Sequence, residues 1–325
     1  MTRLVPIAIA TLVTATFLLL AVPVSAQTQN VPIDAPGWSA TVSTNAWWSF
    51  GTSKWEFDPI SVPIGSKLNW NHVDSPVVMV TGDLAWRYLV LSAGFGWGQI
   101  LDGTLVDEDF VKTPQQGNFL FSRTSSDVPD SHILLFNADF GLRPVRYRDS
   151  YGRLGFIDVL VGYQYWREEY EAFGDTPHID PFGLTGARIP STVKAITHEW
   201  QWHSVRIGGR FDAPIWRNLN FRLSAFFLPW SSLEVRDTHH LRTDLAQNPS
   251  VKTTANGGFG YQLDGSLSYT FFYGLAVEAG FRYWRVDTHD GDVKFRFSDG
   301  TSARENLAEA STKRYGPYVG LTYRF

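Results

Sequence analysis

The chain has 325 residues, with 28 lysines and arginines against 32 aspartates and glutamates, a net charge of -4, no cysteine and two methionines. The missing cysteine excludes a disulfide scaffold, a zinc-thiolate centre and a thiol nucleophile, and the near-neutral charge argues against a nucleic-acid binder. At 44% hydrophobic the composition is too polar for a bundle of membrane helices, yet 13 Trp, 13 Tyr, 23 Phe and 28 Gly point to a strand-rich envelope protein.

In chain order, the first element is a targeting segment. Arg3 precedes an apolar run from Leu4 to Val24, which ends at Val24-Ser25-Ala26, the small-x-small pattern of a signal-peptide cleavage site. Residues 1–26 are therefore expected to be a signal peptide, and 27–325 a single outer-membrane domain. No later stretch has the length of a spanning helix. A membrane-embedded mature chain would then have to be a closed barrel, the other architecture that satisfies every backbone group in lipid.

The rest reads mostly in period two, the signature of strands with two different faces. Leu134, Phe136, Ala138, Phe140 and Leu142 alternate with Asn137, Asp139 and Gly141. Val205 and Ile207 oppose Arg206 and Arg210, and Leu219, Phe221 and Leu223 oppose Asn220, Arg222 and Ser224. The same holds for Leu263, Leu267 and Tyr269, for Val277, Ala279 and Phe281, and for Val319, Leu321, Tyr323 and Phe325. Apolar faces that end in aromatic side chains match the girdles of a membrane barrel. About ten antiparallel strands are expected, over 38–50, 66–86, 88–100, 131–147, 153–172, 192–213, 217–237, 256–272, 273–292 and 311–325. Tight periplasmic turns alternate with long polar extracellular loops near 51–65, 101–130, 173–191, 237–255 and 293–310. Arg206, Arg210, Arg222 and Arg282 are expected to pair with Glu278, Asp139 and Asp264 inside the barrel, since buried charges must be paired. A barrel this narrow fills with side chains, so function belongs at the strand tops.

Two clusters there carry chemistry. Asp107 and Asp109 are two apart and, if extended, point the same way. Crowded carboxyls compete for a proton and can hold a water between them, although a solvated acidic loop or a calcium site would look the same. Asp237 and His239 share the same spacing at the end of strand seven, where a carboxylate beside an imidazole makes a general-base dyad. A surface loop or a metal site is the alternative. One cluster follows strand three and the other strand seven, so a ten-strand barrel sets them on opposite sides of its mouth. His72, His198 and His203 read as polar residues on strand faces.

The chain resembles the omptin family of outer-membrane endopeptidases on these residues and several others. The family's Val-Asp-x-Asp-aromatic motif is matched by Val106-Asp107-Glu108-Asp109-Phe110, with Phe110 where the family has Trp, and its Asp-x-His dyad by Asp237-Thr238-His239. Further patches are Pro129-Asp130 followed by Phe136, Asn137 and Asp139, then Gly162-Tyr163-Gln164 with Arg167, and the end from Tyr318 to Phe325. The resemblance implies a ten-stranded barrel with an active site at its extracellular rim. Asp107 and Asp109 would bind the water, His239 would act as base and Asp237 would orient it, with no metal or organic cofactor. It also implies lipopolysaccharide as a partner, touched by Tyr163, Arg167 and Lys252, a peptide or protein substrate, and a monomer. Two departures bear on specificity. The acidic position two before the dyad is Val235, and Glu56 is only a loose counterpart of the other pocket acid. In the lipopolysaccharide patch, Tyr165 replaces an acid. The rival readings are a non-catalytic barrel acting as adhesin or scaffold, and a small pore.

Overall fold

The computed structural model describes residues 29–30, 37–60, 64–113, 117–129, 131–180 and 188–325. The expected signal segment and Asp130 lie outside the described residues. In chain order the strands are β1 (Gln29–Asn30), β2 (Trp38–Asp58), β3 (Ile64–Trp86), β4 (Leu89–Ile100), β5 (Asp102–Thr113), β6 (Gly117–Asp127), β7 (Ser131–Arg148), β8 (Leu154–Ile179), β9 (Ile189–Trp216), β10 (Leu219–His239), β11 (Val251–Phe272), β12 (Leu275–Thr288), β13 (Gly291–Arg296) and β14 (Ser302–Arg324). All pairings are antiparallel, and β2–β3–β4–β7–β8–β9–β10–β11–β12–β14 return to β2, so ten strands close a barrel. Closure leaves no open edge in the ring, which is the condition for strands in lipid.

At one end the strands meet in tight turns. Arg87 and Arg217 take left-handed φ values of 53° and 38°, and Gly274 sits at 84°. At the other end the strands run on well past the apolar band. The segment 101–130, expected as a loop, is largely the β5–β6 hairpin. It takes over from β4 and β7 by pairing with β3 on one side and β8 on the other. β13 likewise bridges β11 and β14 above β12. The expected loops near 51–65, 173–191 and 293–310 are also shortened by continuing strands, and only 240–250 remains a substantial described connection.

The two halves of the barrel are lined in opposite ways. Around the turn end, Val80, Leu91, Phe95, Phe140, Val159, Val161, Ile207, Phe227, Leu263 and Val319 point outward and are exposed, the lipid-facing band of a transmembrane barrel. Inside that band sit paired charges. Arg210 bridges Asp83 at 2.6 Å and Asp158 at 2.8 Å, Arg143 meets Asp158 at 2.7 Å, Arg206 meets Asp139 at 2.8 Å and Arg222 meets Asp212 at 3.0 Å. Arg282 also pairs with Asp264. This layer crowds the bore with paired side chains, as expected for ten strands.

Beyond the band the polarity inverts. The interior becomes a core of Trp47, Trp55, Trp70, Trp166, Trp200, Trp202 and Tyr170, while Lys54, Glu56, Arg167, Glu199 and Glu234 face out. Water rather than lipid surrounds this half, so the hydrophobic effect drives apolar side chains inward. At its base Arg314 and Glu168 are both fully buried and joined by a two-pronged pair at 2.5 and 3.1 Å. A methyl group at position 51 would lie 2.8 Å from the Arg314 guanidinium, so Gly51 is what lets that side chain pass.

Candidate active site

The strand pattern alone would turn the dyad outward. In the lower part of β10, odd residues such as Leu223, Ala225 and Phe227 face lipid. A bulge at Pro229–Trp230 shifts the register against both neighbours, and beyond it odd residues face inward. Pro229 has no amide hydrogen to lose there. Leu233, Val235, Asp237 and His239 therefore line the interior. The same device acts across the barrel. Even residues of β4 face in, Leu101 and Asp102 both face out, and from Gly103 onward odd residues face in. That break turns Asp107 and Asp109 into the barrel mouth and leaves Glu108 outside, paired with Arg123 at 2.5 Å.

All four predicted residues line one cleft of about 550 Å³. On β5, Asp107 lies between Leu68 of β3 and Thr124 of β6, and Asp109 lies between Ser66 and Ser122. The Ser66 hydroxyl donates to Asp107 at 3.1 Å. Burial, and then the neighbouring Asp109, push the Asp107 carboxyl up to about 8. Burial raises Asp109 as well, so at neutral pH the pair retains a proton. The Phe110 that follows is buried, and its ring fills the space where a Cβ on residue 65 would stand, 2.6 Å away. Gly65 is thus the seat of the motif's aromatic residue.

Across the cleft, the His239 Nε2 and Asp237 Oδ2 atoms are 3.0 Å apart. Asp237 is 2% exposed. Burial works to raise its carboxyl, but His239, with His198 and His240 behind it, holds it below the usual carboxylate range. Burial works to lower His239, and Asp237 and then Asp107 overcome it and raise the imidazole above its ordinary value. Asp107 and His239 therefore interact across the cleft. The hairpin is fastened by the Ser250 hydroxyl, which accepts the His239 amide at 3.0 Å, and by the Ser250 amide, which donates to the Asp237 carbonyl at 2.7 Å.

The two flanks of the cleft differ. One presents an aromatic shelf, with Trp55 and Phe57 rings 5.4 Å apart and Phe57 and Phe295 rings 5.3 Å apart. The other presents the small hydroxyls Ser122, Thr124 and Ser126. Glu56 is not in the cleft: it faces outward and meets Lys54 at 3.0 Å. Val235 is inward and 1% exposed. Glu305 does line the cleft, and its carboxylate accepts the Ile60 amide just beyond β2. Sequence reasoning missed Ser66, the shelf and Glu305, because their inward orientation depends on where each strand shifts phase.

The residues expected to meet lipopolysaccharide all lie on the outer face. The Tyr163 hydroxyl is 2.5 Å from His203 Nδ1, Arg167 pairs with Glu169 and Glu199 at 2.9 Å each, and Lys252 pairs with Glu234 at 3.1 Å. Tyr163 and Arg167 share β8, whereas Lys252 is on β11, with β9 and β10 between.

The model of the omptin family matches residues 64–325. No curated protein sequence matches the chain significantly. Among solved structures, the outer membrane protease OmpT from Escherichia coli superposes with a TM-score of 0.72 at 12% identity, covering 90% of this chain and 100% of that one. The translocator domain of the autotransporter NalP from Neisseria meningitidis gives 0.34 at 13% identity, covering 90% of this chain and 91% of that one.

Proposed function

This chain belongs to the omptin family, and from that premise and the geometry of the cleft we propose that it is an outer-membrane endopeptidase that activates water between Asp107–Asp109 and His239–Asp237. The observation that carries the reading is the convergence of a carboxyl pair and an oriented imidazole on one cleft. With Nε2 facing Asp237, Nδ1 of His239 takes a proton from the water as its oxygen attacks the scissile carbonyl carbon. The protonated member of the carboxyl pair donates to the developing oxyanion. The imidazolium, stabilised by Asp237, then protonates the leaving nitrogen as the C–N bond breaks. The paired charges crowding the bore beneath favour chemistry at the rim over conduction.

The same reading extends to the substrate. The family's acidic position is the buried Val235, Glu56 faces away, and Glu305 is engaged by the Ile60 amide. What borders the dyad is the Trp55–Phe57–Phe295 shelf, so the side chain bound next to the scissile bond is bulky and apolar rather than basic. The long strand ends and the cleft face the outside of the cell. Lipopolysaccharide contacts Tyr163, Arg167 and Lys252 by analogy with the family.

The test is cleavage of a mixed peptide library by the refolded barrel with lipopolysaccharide, beside an Asp237→Ala/His239→Ala variant. Cleavage by the wild type alone, next to aromatic or large aliphatic residues, is expected. Cleavage confined to basic sites would overturn the specificity, and no cleavage by a folded wild type would overturn the protease reading.

A further inference from the structure

His198 stands directly opposite Asp237 in the β9–β10 pairing, and both side chains point inward. Opposed residues in an antiparallel pair bring their Cβ atoms to about 5 Å. His198 is fully buried. Its ring is boxed by Trp70, Trp200 and Trp55, at centroid distances of 5.4, 5.3 and 6.1 Å. The Trp70 indole N–H donates to Nδ1 of His198 at 3.0 Å. An imidazole nitrogen that accepts carries no proton, so the ring proton sits on Nε2. Nε2 of His198 is buried with no partner, and so is Oδ1 of Asp237, the oxygen that His239 does not use. A buried donor and a buried acceptor, each otherwise orphaned and set on opposed positions, are costly unless they meet.

We propose that His198 is a positioning residue whose Nε2–H binds Oδ1 of Asp237, by a small ring rotation or across one water, completing a chain Trp70–His198–Asp237–His239. The chain fixes the carboxylate so that Oδ2 stays on His239. A neutral donor suits this place, because a second cation would compete with the imidazolium for Asp237. Burial among the indoles lowers the His198 imidazole to about 4, which keeps it neutral at physiological pH. The other titratable neighbours of Asp237 are His239 on its own strand, His240 just past the end of that strand and Asp107 across the cleft on β5, and Tyr170 flanks His198 on β8.

The inference rests on the protease reading only for its kinetic readout. His198→Leu fills the space without a donor. It should lower kcat about tenfold to a hundredfold, the size of losing a hydrogen bond to a charged group, and leave KM nearly unchanged. His198→Gln can accept from Trp70 through its oxygen and donate to Asp237 through its nitrogen, and should restore most of the rate. A Leu variant as fast as wild type, or a folded Gln variant as slow as Leu, would overturn the proposal. The second readout needs no substrate. In the full-length barrel with 15N-labelled histidine, His198 should show the neutral Nε2–H tautomer at pH 7, and its Nε2 resonance should move in Asp237→Ala. The other tautomer, or no response to Asp237→Ala, would refute the inference even if the wild type cleaves nothing.

Discussion

Replacing Arg314 by Met should destabilise the barrel severely, and replacing Glu168 by Leu in the same chain should recover a large part of the loss. Both groups are fully buried, and the guanidinium also donates to the Val73 carbonyl at 2.8 Å. Glu168 additionally accepts from Trp166 Nε1 at 2.8 Å and from the Tyr170 hydroxyl. Removing the arginine alone strands a buried carboxylate, which costs about 3–5 kcal/mol. With both gone, no charge is stranded. Tyr170 keeps Ser53 at 2.8 Å, while the Trp166 N–H and the Val73 carbonyl lose a partner at about 1 kcal/mol each. The double variant should therefore sit at least about 1 kcal/mol above the single, a coupling that a double-mutant cycle isolates. The assay is urea unfolding in detergent micelles followed by tryptophan emission. With a slope of about 3 kcal/mol/M, the single substitution moves the midpoint down by about 1–1.7 M. A midpoint unchanged in Arg314→Met, or a double variant as weak as the single, would refute the view that this pair is a coupled ionic unit.

Activity should follow a bell in pH. The rising limb reports deprotonation of His239 at a pH above the ordinary imidazole value of 6.5, and the falling limb near 8 reports loss of the proton on Asp107; kcat/KM against pH in Asp107→Asn should lack the falling limb. Stability should carry the same proton. The folded Asp107 keeps it to about pH 8, whereas the unfolded chain loses it near 3.8, so stability falls as pH rises between those values. Urea midpoints at pH 5 and pH 8.5 should therefore lie closer together in Asp107→Asn than in the wild type. Phe57→Glu puts a carboxylate on the shelf and should move cleavage toward arginine or lysine; fragment ends from a peptide library read this directly, and an unchanged aromatic preference would show that the shelf does not bind the substrate.

Much of the architecture was legible in the amino-acid order. The alternation at Leu134–Leu142, Leu219–Leu223 and Val319–Phe325 marks strands that face lipid on one side, and ten such segments suffice to close a ring. Of the interior charges expected to pair, Arg206 meets Asp139 and Arg282 meets Asp264, whereas Arg210 and Arg222 turn to Asp83, Asp158 and Asp212, and Glu278 accepts from Tyr318 and Thr322. The Asp107–Asp109 and Asp237–His239 spacings also identified the candidate site, because period two puts such residues on one face whatever surrounds them.

Spacing cannot say which face. In β10 the odd residues meet lipid up to Phe227 and the interior from Ser231 onward, and only the bulge at Pro229–Trp230 makes the difference. The step at Leu101–Asp102 does the same for Asp107 and Asp109. The strand lengths escaped sequence reading for a related reason. Above the apolar band the solvent changes from lipid to water, so the hydrophobic side of each strand changes from outer to inner. Segments such as 101–130, which lack an outward apolar face, then resemble polar loops although their ladders continue. The aromatic shelf exists only because β2 and β13, distant in the chain, meet at the cleft, and the His198–Asp237 opposition only through the bulge-shifted register of the β9–β10 hairpin. The chain by itself therefore determined that there is a barrel and which chemical groups it carries. Bulges and cross-strand register, set by closure of the whole ring, decided where those groups point.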